Sequence, residues 1–392
     1  MSACKDDDLS TEIGNLNNYE SFDEEAFNFF DEELSFGIED CEMGLDNSIL
    51  MIGIDYQPPT PALLKLDSNF EVDFSKEINS DGQPIFRTME LIKTTDQNFL
   101  YCSRVKENSS YDIDIRKYDS IGNLMWNTSV GSPSADEGAL SLTEASDNKI
   151  MVLAEDLSYN FVDSSFFLVT LDQNGDLLSN LKIIDPEINK MRRIVYSPID
   201  NSILLLGQYG FSSAYEEYLK VSKYSMDGEK ISSKILINES NIFPNSSDLK
   251  ILDDGNVLVY VSSNDRSNEN NPTVHIFKLD YNLEDIWSYD YDDVNVNIVD
   301  EIHETSQGGL LILSKSVSLS GEGLDVVLSS LNENFEIEWI KSYGTSSSDQ
   351  GRRLFIDDMQ NITIVGNSNY NTGSEAKFYY FILKTDPQGA PY

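Results

Sequence analysis

The segment LVTLDQNG, Leu168–Gly175, joins a short apolar strand to a tight turn, and this combination occurs seven times along the chain. Its counterparts are LLKLDSNF, IRKYDSIG, VSKYSMDG, IFKLDYNL, LSSLNENF and ILKTDPQG. We call the residue at the position of Asp172 the marker. Asp or Asn bonds its own backbone two residues on, and Gly three residues later permits a positive φ, so the motif predicts a hairpin turn. The markers are Asp67, Asp119, Asp172, Ser225, Asp280, Asn332 and Asp386, at intervals of 52 to 55 residues.

Each repeat predicts four short strands. In residues 297–344, apolar positions alternate between turn residues, and strands are expected near 297–305, 309–316, 324–331 and 336–344. Four-stranded sheets that recur with a period near 50 residues are typical of a β-propeller, which hides its sheet edges by radial repetition. The predicted fold is therefore all-β, a seven-bladed β-propeller with four antiparallel strands in each blade.

The two ends of the chain predict how the ring closes. After the marker Asp386 only a few residues remain, too few for an outer strand of the seventh blade. The apolar segment 26–30 precedes the first inner strand and has no other partner. We expect it to pair with the strand at 378–385 and supply the missing fourth strand, which would cover an exposed edge.

Aromatic residues share one phase of the repeat. Phe74, Trp126, Trp287 and Trp339 each follow a marker by seven residues, and these include all three tryptophans of the chain. This regularity predicts a packing layer that recurs in each blade. Ser179 and Ser232 occupy the same position in the third and fourth blades, where looser packing is expected.

The charge balance limits the partners. The chain has 68 acidic and 27 basic residues and a net charge of −41. Such a charge repels nucleic acid and anionic membranes. Its simplest role is to keep a secreted or surface protein soluble; Ca²⁺ is a candidate counter-ion, and no other cofactor is indicated.

Cys41 and Cys102 fall in apolar strand patterns, as buried free thiols do, and a disulfide between them is left open.

The first residues, Met1 to Asp8 (MSACKDDD), resemble the end of a bacterial lipobox followed by the acidic export signal of surface lipoproteins from glycan-foraging Gram-negative bacteria. The resemblance implies a lipid on Cys4 and a location on the outer membrane, facing the cell exterior. A typical lipobox has Leu where Met1 stands, and the alternative is a chance acidic tail. Residues 1–21 are expected to form an acidic tether and residues 22–392 the propeller.

The repeat also resembles a family of seven-bladed propeller repeats from bacterial surface lipoproteins. Its units read roughly Trp-x-Lys-x-x-Gly, then an Asp, then Gly-Gly and an aliphatic strand. The match is best at 339–344, with Asp349, and at 308–312, whereas the third and fourth blades lack the Trp. The family is functionally heterogeneous, so the resemblance implies architecture and location rather than an activity.

Few residues indicate catalysis. The two histidines, His275 and His303, lie in strand patterns, which excludes a His-rich metal site. No nucleophile elbow or phosphate-binding glycine loop is present. With 68 acids, adjacent pairs such as Asp292-Asp293 say little about glycoside hydrolysis. The sequence therefore predicts a protein that is not an enzyme; a polysaccharide-degrading hydrolase or lyase on the same scaffold is the alternative.

Arginines concentrate at one phase of the repeat. Five of the eight follow a marker by 20 or 21 residues, in the inner strands of three blades. We hypothesise that they hold an anionic group at the channel mouth through charge-assisted hydrogen bonds. The alternative is that they neutralise inner acids between blades. Adjacent strand residues point to opposite faces, so not all five are expected to line one surface. The five are Arg87, Arg192, Arg193, Arg352 and Arg353.

The connections between second and third strands, at 105–112, 156–164, 209–217, 264–272 and 369–377, carry aromatic residues. They are predicted to bind a glycan or a protein at the loop face, unless they pack down onto the blades. The predicted function is a lipid-anchored, cell-surface propeller that binds a glycan or an outer-membrane or extracellular protein. The aromatic residues are Tyr159, Phe161, Tyr209, Phe211, Tyr215 and Tyr370.

Overall fold

The seven-bladed all-β architecture predicted from the repeat is confirmed. A computed structural model describes residues 19–392 apart from 24–25, 30–35, 57–58, 79–89, 108–109, 133–134, 157–164, 186, 210–217, 239–241, 266–267, 292–297, 318–322 and 372–375. The described residues contain no α-helix and therefore none long and apolar enough to cross a membrane. Their strands form seven sheets, one for each blade.

Two strands precede the blades, and the rest follow in chain order from blade to blade. Each of blades 1 to 6 contributes four consecutive strands, from inner to outer, and blade 7 contributes three. The strands are β1 (Tyr19–Phe22), β2 (Phe27–Phe29); in blade 1 β3 (Phe36–Met43), β4 (Ile49–Tyr56), β5 (Pro59–Leu66), β6 (Val72–Glu77); in blade 2 β7 (Glu90–Lys93), β8 (Phe99–Glu107), β9 (Ser110–Tyr118), β10 (Leu124–Val130); in blade 3 β11 (Glu137–Glu144), β12 (Ile150–Asp156), β13 (Phe166–Leu171), β14 (Leu177–Ile183); in blade 4 β15 (Lys190–Ser197), β16 (Ser202–Tyr209), β17 (Tyr218–Ser225), β18 (Lys230–Asn238); in blade 5 β19 (Ile242–Ile251), β20 (Val257–Asp265), β21 (Asn268–Leu279), β22 (Asp285–Tyr291); in blade 6 β23 (Ile298–Glu304), β24 (Leu310–Val317), β25 (Leu324–Leu331), β26 (Ile337–Tyr343); and in blade 7 β27 (Ser348–Ile356), β28 (Ile362–Asn371), β29 (Ala376–Thr385).

The ring closes as the sequence predicts. β2 pairs antiparallel with β29, with Phe27 opposite Leu383, and so becomes the fourth strand of blade 7. Phe27 is buried and meets Phe381 edge to face, with ring centroids 4.7 Å apart. The edge that blade 7 would otherwise expose is therefore covered by a strand from the opposite end of the chain.

A fifth strand on blade 6 was not expected. β1 pairs in parallel with the outer strand β26, and Glu20 forms an ion pair with Lys341. The ring of Phe22 stacks on that of Tyr343 with centroids 5.5 Å apart. The N-terminal segment thus joins two neighbouring blades, 6 through β1 and 7 through β2.

The marker turns explain why the repeat is so regular. At all seven, the residue three after the marker has a positive φ, whether it is Gly, as at Gly122, or Phe70, Leu283 or Phe335. At Gly122 the aromatic ring of the preceding blade also covers the turn: a Cβ there would lie 2.0 Å from Phe74. Glycine is therefore required both by the backbone and by the contact between blades.

Packing between blades is looser at one of the two positions where serine replaces the aromatic residue. After the blade with Ser232 the turn residue is Leu283, which is 3% exposed and belongs to a core cluster. A Cβ at Gly175 would lie 2.7 Å from Trp126, and one at Gly389 would lie 2.7 Å from Lys341 and 2.9 Å from Trp339. At Gly228, which follows the blade with Ser179, the nearest atom would be 3.3 Å away, in Leu181.

The two cysteines of the blades are free and buried. Cys41 belongs to the core around Ile38 and Leu64, and Cys102 to the core around Leu100 and Val152. They therefore pack as small apolar residues, and the disulfide that the sequence left open is not formed.

The inner strands carry β-bulges, which change where their side chains point. The pairing of inner and second strands shifts between Met191 and Arg193, between Val299 and Glu301, and between Gly351 and Arg353. At a bulge two residues oppose one on the neighbouring strand, and the local direction of the side chains changes. The assumption that adjacent residues must face opposite ways therefore fails at these positions.

We expect Gly122→Ala to destabilise the protein more than Gly308→Ala. Both residues have a positive φ, which costs an L-residue about 1 kcal/mol or more. A Cβ at Gly308 meets nothing within 4 Å, whereas one at Gly122 clashes with Phe74. Overpacking should add about 1 to 3 kcal/mol to the loss in the free energy of unfolding. Urea unfolding followed by tryptophan fluorescence measures both, and equal losses would contradict the packing argument.

Candidate functional site

The inner strands place one residue of each blade around the axis of the ring. Backbone N–H groups of the next blade bond four of these side chains: Leu91 to Asp40 at 2.9 Å, Leu142 to Glu90 at 2.7 Å, Ile194 to Ser141 at 3.2 Å and Leu354 to Glu301 at 2.8 Å. We call the set the axial ring. Its members are Asp40, Glu90, Ser141, Arg193, Asp248, Glu301 and Arg353.

Two arginines of the axial ring are paired with its acids. Arg353 grips Asp40 of the next blade with two hydrogen bonds, Nε–Oδ1 at 2.7 Å and Nη2–Oδ2 at 3.0 Å. Arg193 forms ion pairs with Asp248, at 3.1 Å, and with Glu90. The charge-assisted hydrogen bonds between Arg353 and Asp40 are strong and directional, whereas Arg193 is close to its acids without a hydrogen bond at Nε. These ion pairs link blades 7 and 1, and blades 2, 4 and 5, through the centre of the molecule.

A second group lies one step nearer the loop face, where outer strands connect to the inner strands of the next blade. Arg352 interacts electrostatically with Glu39, Asp300 and Tyr56. Lys315 Nζ lies 3.2 Å from Asp300 Oδ1 and 3.5 Å from Gln350 Oε1. We call this group the mouth cluster, and it spans the adjacent blades 6, 7 and 1. Its members are Glu39, Tyr56, Asp300, Lys315, Gln350 and Arg352.

The local backbone fixes the mouth cluster. Glu39 and Arg352 occupy the bulges of β3 and β27, and Asp300 occupies that of β23. The ring of Tyr56 lies against the backbone of Gly37, where a Cβ would come within 2.9 Å of it. Each bulge thus turns a charged side chain toward the same end of the channel.

The two acids of the mouth cluster hold protons more tightly than usual. Burial raises the pKa of Asp300, while Lys315 and Arg352 oppose the rise. Its side chain is 13% exposed, and among the described residues its Oδ2 has no hydrogen-bond partner. Burial also raises the pKa of Glu39, against the charge of Arg352, although Glu39 reaches solvent at the mouth. A carboxyl group held in the neutral form can donate a proton.

Deeper in the channel, two glutamates are shifted in opposite directions. Burial raises the pKa of Glu42 to about 7, with Asp40 and Glu301 adding to the rise. Burial also acts on Glu301, but the hydrogen bond from His303 and the charges of Arg353 and Lys250 lower its pKa to about 2. His303 Nε2 lies 2.8 Å from Glu301 Oε1. The channel therefore holds a carboxyl and a carboxylate side by side.

The structure separates the arginines that the repeat grouped. Arg193 and Arg353 share the neighbours Lys250 and Tyr260 at the axis. Arg192 instead donates to Gln208 Oε1 at 3.3 Å, between blades 3 and 4, and burial lowers its pKa against the attraction of Glu155. Arg352 belongs to the mouth cluster, and Arg87 lies outside the described residues.

Most of the aromatic residues predicted to bind a ligand lie outside the described residues. Tyr209 is described, and its ring stacks on Tyr218 with centroids 5.0 Å apart. Tyr370 belongs to β28, but its side chain is not described. A ligand-binding role for these residues stays a prediction. The remaining ones, with Cys4, are Tyr159, Phe161, Phe211 and Tyr215.

The part of the chain that the structure describes contains no group of three or more His, Cys, Asp or Glu side chains suited to a metal ion. Ca²⁺ binding stays a prediction from composition.

Solved structures resemble the whole ring. The chain matches polysaccharide lyase Uly1 with a TM-score of 0.58 and 9% identity, over 91% of this chain and 92% of the lyase. It matches a puromycin hydrolase at 0.54 and 11%, over 92% of this chain and 52% of the hydrolase. It matches the propeller domain of the Trilobed protease from Pyrococcus furiosus at 0.50 and 8%, over 91% and 97%. No protein-family model and no curated protein matches the sequence.

These similarities define the class as a seven-bladed β-propeller, and they correct one expectation. The sequence predicted a protein that is not an enzyme, yet the propellers that this chain resembles carry the names of a lyase, a hydrolase and a protease. At identities near 10% the likeness shows the shared fold. Short sequence motifs do not reveal the charged groups of this channel, because those groups come from separate blades.

We expect Glu42→Gln and Glu301→Gln to change stability in opposite directions at pH 8. The pKa of Glu42 is raised in the folded state, so the protein loses stability as the pH rises from 4.5, the ordinary pKa of this group, to about 7. Removal of the Glu42 carboxyl should therefore stabilise the protein at pH 8. Glu301, with a pKa lowered to about 2, stabilises above 4.5, so its removal should destabilise. Each effect should be on the order of 1 to 3 kcal/mol.

Urea unfolding between about pH 2 and pH 8 measures these effects. The gain from Glu42→Gln should vanish below about pH 4.5, and the loss from Glu301→Gln should shrink as the pH falls toward 2. Glu77→Gln, at an exposed position of β6, is the control. Changes of the same sign in both channel variants would contradict the assignment.

Proposed function

We propose that this protein is a polysaccharide-degrading enzyme that cleaves glycosidic bonds at the loop-face mouth of its channel. The proposal rests on one observation: Asp300 and Glu39 flank Arg352 on three consecutive blades. Paired carboxyl groups on either side of a scissile bond are what glycoside hydrolysis requires. The propeller scaffold is also one on which a polysaccharide lyase is built.

The two acids differ in the way that the reaction needs. Asp300 is nearly buried, and its Oδ2 has no partner among the described residues, so a proton on that oxygen can be given to the leaving glycosidic oxygen. Glu39 differs from Asp300 in reaching solvent, although burial raises its pKa as well and Arg352 opposes the rise at both acids. Glu39 is therefore placed to take a proton from the attacking water.

The neighbouring groups serve to position this pair. Lys315 holds Asp300 at 3.2 Å and is itself within 3.5 Å of Gln350. Deeper in the channel, the ion pairs of Arg353 with Asp40 and of Arg193 with Asp248 join residues of different blades across the axis.

Asp300→Asn and Glu39→Gln should each lower kcat by about 100-fold or more, since each removes one partner of general acid–base catalysis. Release of reducing ends from a panel of neutral and acidic polysaccharides measures this, with an unchanged Tm as proof of folding. Glu77→Gln, on the outer strand of blade 1, should keep full activity. Absence of activity in the wild type, or full activity in both site variants, would contradict the proposal.

We further propose that the enzyme is a lipoprotein anchored through Cys4 to the outer membrane and exposed to the cell exterior, where it meets glycans and other outer-membrane or extracellular proteins. The support is the resemblance of residues 1–8 to a lipobox and an acidic export signal. The segment β1 and β2 would then connect the anchor directly to blades 6 and 7.

With a bacterial lipoprotein leader placed before Cys4, the protein should take up a clickable fatty acid and be degraded by protease added to intact cells. Cys4→Ser should abolish labelling. Replacement of residues 5–8 by Ala should keep labelling and protect the protein from the protease. Labelling of the Cys4→Ser variant would refute the anchor.

A further inference from the structure

We infer that Arg352 and Lys315 recognise a carboxylate of the substrate, so that the enzyme acts on glycans that contain uronic acids. That the bound glycan is a substrate rests on the proposed function. That it is bound through a carboxylate rests on the mouth cluster alone.

Arg352 differs from the other arginines of the inner strands. Arg353 uses two nitrogens on Asp40, and Arg193 reaches both Asp248 and Glu90. A buried Nε without a hydrogen-bond partner among the described residues is common to Arg192, Arg193 and Arg352. Arg192 donates through another nitrogen to Gln208, however, and Arg193 has its two ion pairs. Among the described residues Arg352 has neither a hydrogen bond nor an ion pair within 4 Å to satisfy it. Leaving a buried donor unsatisfied costs about 1 to 3 kcal/mol, so the mouth is incomplete without an acceptor.

The geometry of guanidinium narrows the acceptor. Its nitrogens form a planar fork that matches the two oxygens of a carboxylate. Lys315 adds a second cation on the neighbouring blade, and it contacts Asp300 and Gln350. A planar fork beside a compact cation fits a sugar whose C6 is a carboxylate better than a neutral sugar.

The net charge of −41 does not prevent such binding. Interactions between exposed charges fade beyond a screening length of about 10 Å at 0.1 M salt, whereas contacts within the mouth are hardly screened. Basic residues also gather where the ligand would lie: Lys250, Arg193 and Arg353 line the channel below Arg352 and Lys315. The acidic exterior would repel long polyanions, and the mouth would attract one acidic residue at a chain end.

Isothermal titration with glucuronate, glucose 6-sulfate and glucose tests the inference. The wild type should bind glucuronate about ten-fold or more tightly than glucose. Arg352→Gln should remove that preference. Arg104→Gln should keep it, since the guanidinium of Arg104 lies over the ring of Tyr111, 4.5 Å from its centroid, on blade 2. Equal affinity for glucuronate and glucose in the wild type would overturn the inference, and equal affinity for glucose 6-sulfate would overturn its assignment to a carboxylate.

Glu39→Gln separates this inference from the proposed function. The substitution removes a negative charge beside Arg352, so glucuronate should bind more tightly while cleavage is lost. Tighter binding with cleavage retained would contradict the catalytic assignment and leave the binding site standing. Lost cleavage together with no preference for glucuronate would contradict the carboxylate-binding site and leave the catalytic assignment standing.

Discussion

The rest of the structure depends on one constraint: each sheet is covered on both faces only while the ring is closed. The core clusters are built between neighbouring blades, such as the one that joins Leu354 and Phe381 of blade 7 to Leu313 of blade 6. Opening the ring would expose two such faces at once. The short strand β2 prevents this with three backbone pairings to β29. Closure also brings Arg353 of blade 7 against Asp40 of blade 1, so the same event assembles the charged centre of the channel.

Bulges turn this scaffold into a site. A regular inner strand would send alternate side chains to the axis and into the sheet packing. A bulge lets two consecutive residues serve the channel, so Asp300 joins the mouth cluster while Glu301 joins the axial ring. The backbone irregularity and the density of charge at the axis thus have one cause. Differences in surroundings between the mouth and the axis then raise the pKa of Asp300 and lower that of Glu301, although the two acids are adjacent in the sequence.

The fold could be read from the sequence because its signals are local and repeated. The marker turn depends on a positive φ within a few residues, and the phase of Trp126 and Trp339 reports contacts that recur once in each blade. Ring closure by β2 followed from counting strands. The parallel strand β1 could not be predicted, because its four residues carry no pattern of their own and are held by Lys341 and Tyr343, far along the chain.

The site was only partly predictable. Asp300 and Glu301 follow the marker Asp280 by 20 and 21 residues, the same phase as Arg352 and Arg353, but a pattern of arginines does not include them. Glu39 precedes the first marker, and Tyr56 reaches the mouth from a second strand, so no repeat position indicates them. The pairing of Arg193 with Glu90, two blades away, depends on distances across the axis, which a linear pattern does not contain.

The attachment of β1 to blade 6 has a mechanical consequence. Tension applied at the N-terminus is borne first by the four pairings of β1 with β26, and by the contacts of Glu20 and Phe22 there. Only after that strand peels away does the pull reach β2. The ring can therefore stay closed under a pull on the N-terminus that detaches β1 alone.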